Sequence, residues 1–207
     1  MKKPTLAFEK KLWDRGHRCV IGLDEAGVGP LAGPVVAAAV FLRRRYQSTP
    51  QELTLVRDSK SLSEKQREKM FVALTAHPHV RYSVSRVWPA VVDRYNIRRA
   101  TELAMRRCVG KLMPALSGQV FLLADGLATI KRMPYPQAAV VRGDQKIFSI
   151  SAASIIAKVT RDRIMRRLHK KYPQYEFARH KGYGTIVHYA AIKKFGPSPI
   201  HRKTYLD

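Results

Sequence analysis

The sequence predicts an α/β domain, and three observations carry that reading. Apolar runs of strand length begin at Val20, Val35, Gln119 and Ala138, and Arg81–Val87 alternates as a half-buried strand does. Among them lie stretches with helical periodicity, the longest from Ser151 to roughly Tyr172. The 207 residues, 45% of them hydrophobic, suffice for one substantial core and are short for two. One domain with a helical C-terminal extension is expected.

Taken in order, residues Lys2 to Gly16 space Leu6, Phe8, Leu12 and Trp13 as a short amphipathic packing helix would. The stretch Val20 to Val40 starts as a buried strand and breaks at Asp24 and Glu25, followed at once by Gly27, Gly29 and Pro30. Neighbouring side chains of a regular strand point to opposite faces, so the two acids can converge only if the backbone leaves the pleat between them. Val35 to Leu42 then leads away as a hairpin partner. Arg43-Arg44-Arg45 and a polar loop follow. Asp58-Ser59-Lys60 precedes a helix that Ser61 or Ser63 can cap and that runs past Met70 to Leu74. That helix start suits a phosphate site and a plain capped surface helix equally well.

After the strand Arg81–Val87 comes a helix, Asn96 to Leu112. Ile97, Ala100, Leu103, Ala104 and Cys108 lie on one face, and Arg98, Arg99, Arg106 and Arg107 sit nearer the other, read as solvated. Gln119–Ala124 ends in an acid, Asp125, before Gly126, and Ala138–Val141 ends in R-G-D with Asp144. The long helix from Ser151 is capped by Ser and stopped by Pro173. Within it Asp162 lies one turn from Lys158 and Arg166, which reads as an ion pair and leaves it out of any metal site. The last third places R-H-K-G-Y-G-T, a helix Ile186–Phe195 and G-P-S-P-I-H-R-K in series. Aromatic and basic residues on such loops suit stacking beside phosphates.

Composition narrows the function. Lys plus Arg number 39 against 15 Asp plus Glu, a formal charge of +24 and a pI near 10.6, which points to a polyanionic partner. The longest uncharged apolar stretch, Val35–Leu42, is too short to span a bilayer, and no apolar leader precedes the charge at Glu9. Cys19 and Cys108 form neither a zinc motif nor a disulfide framework. A soluble, monomeric, cytoplasmic protein with no membrane partner is expected.

Three apolar runs that each close on carboxylates favour a site at strand ends, made of Asp24, Glu25, Asp125 and Asp144. The glycines of G-V-G-P-L-A-G are spaced too widely for a dinucleotide fingerprint, and no Gly-Lys-Ser/Thr makes a P-loop. An all-oxygen set suits hard divalent cations, Mg²⁺ or Mn²⁺, and disfavours zinc. Two such ions support in-line phosphodiester hydrolysis without a covalent nucleophile. No Ser-His-Asp or Cys-His set competes with it.

The segment D-E-A-G-V-G-P-L-A-G-P-V resembles the N-terminal signature of bacterial ribonuclease HII, usually D-E-x-G-R-G-P-L-x-G-x-V. The likeness continues through D-S-K-S-L-S, N-I-x-x-A-T-x-x-A-M, A-D-G, G-D, S-A-A-S-I-I-A-K-V-T-R-D, H-K-G-Y-G-T and S-P-I-H-R-K. It implies an RNase H-like fold, a mixed five-stranded sheet flanked by helices. The core would span about residues 1–175 and a substrate-contacting segment about 176–207. It also implies an endonuclease that hydrolyses the RNA strand of RNA–DNA hybrids. Such an enzyme also cuts 5′ of ribonucleotides embedded in duplex DNA, leaving 5′-phosphate and 3′-OH.

By motif match the resemblance puts two metal ions on Asp24, Glu25, Asp125 and Asp144. It puts junction sensing on Gly27, Val28 and Gly29, substrate contacts on Lys60 and Ser154, and sugar packing on Tyr183. Val28 departs from the family Arg. Arg reaches phosphate with several donors, whereas Val has none and disfavours positive φ, so weaker junction binding or relaxed discrimination is expected. The alternative reading follows from the same residue: a weakened or inactive hybrid-binding homologue.

Overall fold

The computed structural model describes residues 3–42, 56, 59, 62–126 and 129–206. Lys60 and the Arg43–Arg45 run lie outside them. Five strands form one mixed sheet: β1 (Cys19–Ala26), β2 (Val35–Leu42), β3 (Val80–Val87), β4 (Val120–Asp125) and β5 (Gln137–Val140). Their order is β3-β2-β1-β4-β5. β1 pairs antiparallel with β2 and β2 with β3, while β4 joins β1, and β5 joins β4, in parallel. The parallel half requires crossovers, and helices supply them.

Both faces of β1 and β2 are buried, which is why those strands read as unbroken apolar runs. On one face Val20, Ala38, Val40 and Leu123 pack with the long helix α4 (Phe148–Lys171), α1 (Ala7–Asp14) and α2 (Glu64–Ala76). On the other, Ile21, Leu23, Ala37 and Leu122 pack with α3 (Pro89–Leu112). A third cluster, of Ala32, Met165, Tyr175, Phe177, Ala191 and Ile200, seats the C-terminal helices α5 (Phe177–His180) and α6 (Ile186–Phe195) on α4 and on the β1–β2 loop.

Local sequence explains most boundaries. Ser63 accepts from the Gln66 amide and Gln66 returns a bond to the Ser63 amide, a capping box on α2 worth about 1 kcal/mol. Asn96 starts the second half of α3 as expected, with Oδ1 accepting from Arg99 N–H at 3.1 Å. An extra stretch opening at Pro89 precedes it, and Asn96 itself sits at φ 67°, ψ 165° where the two halves kink. α4 begins at Phe148, a turn earlier than the Ser151 cap predicts. The buried Glu9 carboxylate of α1 accepts from Ser149 N–H at 2.8 Å and so supplies the cap from another helix.

Candidate active site

The strand ends bring the acids together. Leu23 is level with Ala124 across the parallel β1–β4 pair, so Asp24 and Asp125 are adjacent one residue on. Asp144 reaches them through the turn after β5. Arg142, in the left-handed region at φ 54°, reverses the chain, and Gly143 N–H donates to Asp125 Oδ1 at 2.6 Å. A Cβ at Gly143 would lie 2.6 Å from Ile150 Cδ1, so a side chain there would have to displace the end of Ile150. Asp24, Asp125 and Asp144 each place a carboxylate oxygen within 4.8 Å of the others'. Asp24 and Asp144 are buried.

Glu25 stands differently. The backbone does not leave the pleat: Asp24 pairs with Ala38, Glu25 with Ala37 and Ala26 with Val36 in regular register. Alternation therefore turns Glu25 to the α3 face, where it lines a cleft of about 250 Å³ with Val28, Ile97, Arg98, Met105 and Asp125. Asp24 alone of the two joins the three-carboxylate cluster, and Glu25 acts on it as a neighbouring charge. Burial holds the Asp24 carboxyl well above the usual carboxylate range, and the neighbouring Glu25 and Asp125 push it the same way. Ser154, by bonding its side chain, and the Glu25 amide, at 2.8 Å, oppose the shift.

A buried group of like charges costs free energy that a cation removes, and the donors are all carboxylate oxygen, so the cluster fits a hard divalent ion. Ser154 lies in the second turn of α4 rather than at its start. It is buried, and its hydroxyl is 2.9 Å from that of Ser59 as well as bonded to Asp24, which makes it a brace for the carboxylate.

The β1–β2 loop is held from behind by two buried arginines, which fall within S-A-A-S-I-I-A-K-V-T-R-D and S-P-I-H-R-K but to which the sequence assigns no role. Arg161 donates to Pro34 O and Ala32 O, and Arg202 donates to Val28 O, Gly27 O and Gly33 O. Gly27 has φ +95°, and a Cβ there would collide with Arg161 Nε, so the glycine is obligatory. Gly29 has neither constraint: its Cβ would meet open space. Val28 lies outside the left-handed region and is 39% exposed, so valine is held there without backbone strain. Tyr183 is exposed, and its ring lies 5.8 Å from the Arg161 guanidinium carbon. Asp162 pairs with Lys158 at 2.8 Å and stays out of the cluster, while Arg166 goes to Glu64 and Glu68 instead.

Sheet order and acid placement define a protein of the ribonuclease H class, and solved structures agree. Ribonuclease H2 from Pyrococcus horikoshii is similar with a TM-score of 0.69 and 28% identity, over 90% of this chain and 93% of that one. The ribonuclease HII in the PCNA complex from Archaeoglobus fulgidus gives 0.69 and 25%, over 89% and 94%.

The family model described as Ribonuclease HII matches residues 21–206, and the chain belongs to that family. Ribonuclease HII of Caldanaerobacter subterraneus is 45% identical over 202 residues, 97% of this chain and 79% of that one. That of Acetivibrio thermocellus is 47% identical over 200 residues, 96% and 73%. The chain is accordingly a metal-dependent endoribonuclease acting on RNA–DNA hybrids. No helix among the described residues is long and apolar enough to cross a membrane.

Proposed function

We propose that this enzyme, acting as a monomer, hydrolyses the RNA strand of hybrids and also cuts 5′ of single ribonucleotides embedded in duplex DNA, leaving 5′-phosphate and 3′-OH. The observation that carries the reading is the set of three carboxylates within 4.8 Å at adjoining strand ends, beside a cleft that contains Glu25 and Val28. Asp24, Asp125 and Asp144, with Glu25 from the other face, would hold two Mg²⁺ or Mn²⁺ ions. Bound there, they supply the positive charge that activates a water for attack and stabilises the leaving 3′ oxygen.

The chain's own groups do the rest. Ser154 and the Glu25 amide fix the Asp24 carboxylate, and the Gly143 amide fixes that of Asp125, so the ligand oxygens are set before substrate arrives. The loop at Gly27, Val28 and Gly29 presents backbone to the minor groove, where a 2′-OH distinguishes RNA from DNA. Arg202 occupies its carbonyls at Val28 and Gly27, and Arg161 holds the following turn through Ala32 O and Pro34 O. Tyr183 offers an exposed ring for a sugar. Lys60 remains a substrate contact by motif only.

The test is cleavage of a labelled DNA duplex carrying one ribonucleotide, beside a long hybrid and an all-DNA duplex, with Mg²⁺, with Mn²⁺ and with chelator. Metal-dependent incision 5′ to the ribonucleotide, lost in Asp125→Asn, supports the proposal. Cutting of the hybrid alone would mean that Val28, which offers no donor, has cost the junction activity. Binding without cutting of either substrate would favour the inactive binder.

A further inference from the structure

The arginines of α3 do not simply face solvent. Arg98 lines the cleft that holds Glu25, Val28 and Asp125, and it also lines a second, larger cleft of about 700 Å³ on the same side of the sheet. That second cleft is walled by Arg99 and Arg106 of α3 and by Lys131 and Arg132 of the β4–β5 loop. Five cations thus face one acid, Glu102, which Arg98 approaches at 3.6 Å.

Two features give the cleft its shape. The kink at Asn96 turns the start of the second half of α3 into its wall. Arg106 Nη1 donates to Lys131 O at 3.3 Å, which brings the β4–β5 loop against the helix, and Arg132 follows in the left-handed region at φ 57°. Arg98, Arg99, Lys131 and Arg132 are exposed, so their charge is available to a ligand.

We propose that this groove is a second anion-binding track, which holds the sugar–phosphate backbone of the substrate several nucleotides away from the cut. It rests on the reading that the substrate is a nucleic acid duplex. Continuity carries the argument: Arg98 and Glu102 line both clefts, so a backbone leaving the aspartates passes Val28 and reaches the basic groove across that pair. Five cations line that path, and each phosphate they neutralise releases a counterion. Because Val28 has no donor, Arg98 is the cation that shares its cleft, and it takes up phosphate anchoring at the near end of the track.

The experiment is binding of a labelled long RNA–DNA hybrid by fluorescence anisotropy, in chelator so that nothing is cut, over a salt series. The groove variant combines Arg99→Gln, Lys131→Gln and Arg132→Gln. A control with the same reduction in charge combines Lys10→Gln, Lys11→Gln and Lys171→Gln, exposed residues of α1 and α4 on the other face of the sheet. The groove variant should bind about tenfold or more weakly near 0.1 M salt. The slope of log Kd against log salt should fall by about 0.9 for each phosphate that the variant leaves unneutralised. The control should change less than about twofold. With metal restored, the groove variant should raise KM and leave kcat at saturation unchanged.

Equal weakening in the two variants would overturn the track and leave only a general charge effect. So would failure of the wild-type protein to bind hybrid. A wild-type protein that binds but does not cut would sink the proposed activity, while the comparison between variants would still decide the groove.

Discussion

Arg202 Nη1 donates to the carbonyl oxygen of Val28 at 2.7 Å, so a residue 174 positions away in sequence fixes the Gly27–Gly29 loop. The same fully buried guanidinium also serves Gly27 O and Gly33 O, and Tyr205 Oη reaches Val28 O at 3.1 Å. Arg202→Met would keep the volume and take this donor from the carbonyls of Gly27 and Gly33, leaving Val28 O with Tyr205 alone. A loss of about 3 kcal/mol or more in unfolding free energy is expected, since each unsatisfied buried group costs about 1–3 kcal/mol. Urea denaturation measures it. A stability near wild type would show that the loop holds its shape without the guanidinium.

Val28→Arg should strengthen rather than disturb the loop. The position is exposed and lies outside the left-handed region, so no backbone penalty accompanies the change. One charge-assisted phosphate contact, about 1.4 kcal/mol, should raise kcat/KM on a duplex with a single ribonucleotide roughly tenfold relative to a long hybrid. An unchanged ratio would mean that a phosphate contact at this position does not limit junction recognition.

Asp24→Asn separates fold from chemistry. The buried carboxylate is unfavourable in the metal-free protein because desolvation and two neighbouring acids oppose its charge. Without metal the variant should therefore melt higher than wild type, by about 2–4 °C for each 1 kcal/mol recovered. Adding Mg²⁺ should raise the wild-type melting temperature and do little for the variant, while cleavage falls at least about a hundredfold. Equal metal-induced shifts in both proteins would remove Asp24 from the metal site.

Glu9→Ala should uncap α4. The carboxylate is buried, and its own burial raises its pKa, which the bond from Ser149 N–H partly offsets. Alanine leaves that amide without its acceptor and should cost about 1–2 kcal/mol, whereas Glu9→Gln keeps an acceptor oxygen and should lose less. Denaturant midpoints of the two variants decide it, and identical losses would argue for a role in packing alone.

Such cross-chain contacts mark the limit of what the sequence discloses. Asp24, Asp125 and Asp144 were legible because each closes an apolar run, and a strand buried on both faces leaves no other place for a carboxylate. The α2 cap was legible because Ser63 and Gln66 are three residues apart. Glu9 and Ser149 are 140 residues apart, and Arg202 and Val28 are 174 apart, so no local pattern links either pair. Strand alternation keeps Glu25 on the α3 face, outside the three-carboxylate set. The arginines of α3 are exposed as their helical face implies, but the groove they share with the β4–β5 loop has no local signal, because that loop arrives from elsewhere in the chain.

The C-terminal segment should loosen in mild acid. His188 Nδ1 lies 2.9 Å from Tyr183 O and must donate, so its Nε2 accepts from His201 Nε2, also at 2.9 Å. His201 Nδ1 in turn accepts from Ser198 N–H at 2.8 Å, which leaves both rings neutral with fixed tautomers. His180, stacked on His188 at 4.4 Å, accepts from Gly182 N–H. Burial lowers the pKa of all three, that of His188 to about 4. The unfolded chain takes up these protons near pH 6.5 and the folded one resists, so the stability is complete above about 6.5 and is lost as pH falls toward 4. At about 1.4 kcal/mol for each pKa unit, His188 alone accounts for a loss on the order of 2–3 kcal/mol. Melting temperature followed from pH 8 to 4.5 should fall more steeply in wild type than in His188→Asn, which cannot take the proton. Limited proteolysis at Lys181 should rise over the same interval. Parallel curves for the two proteins would mean that the histidines do not set the acid limit of this segment, and that its carboxylates do.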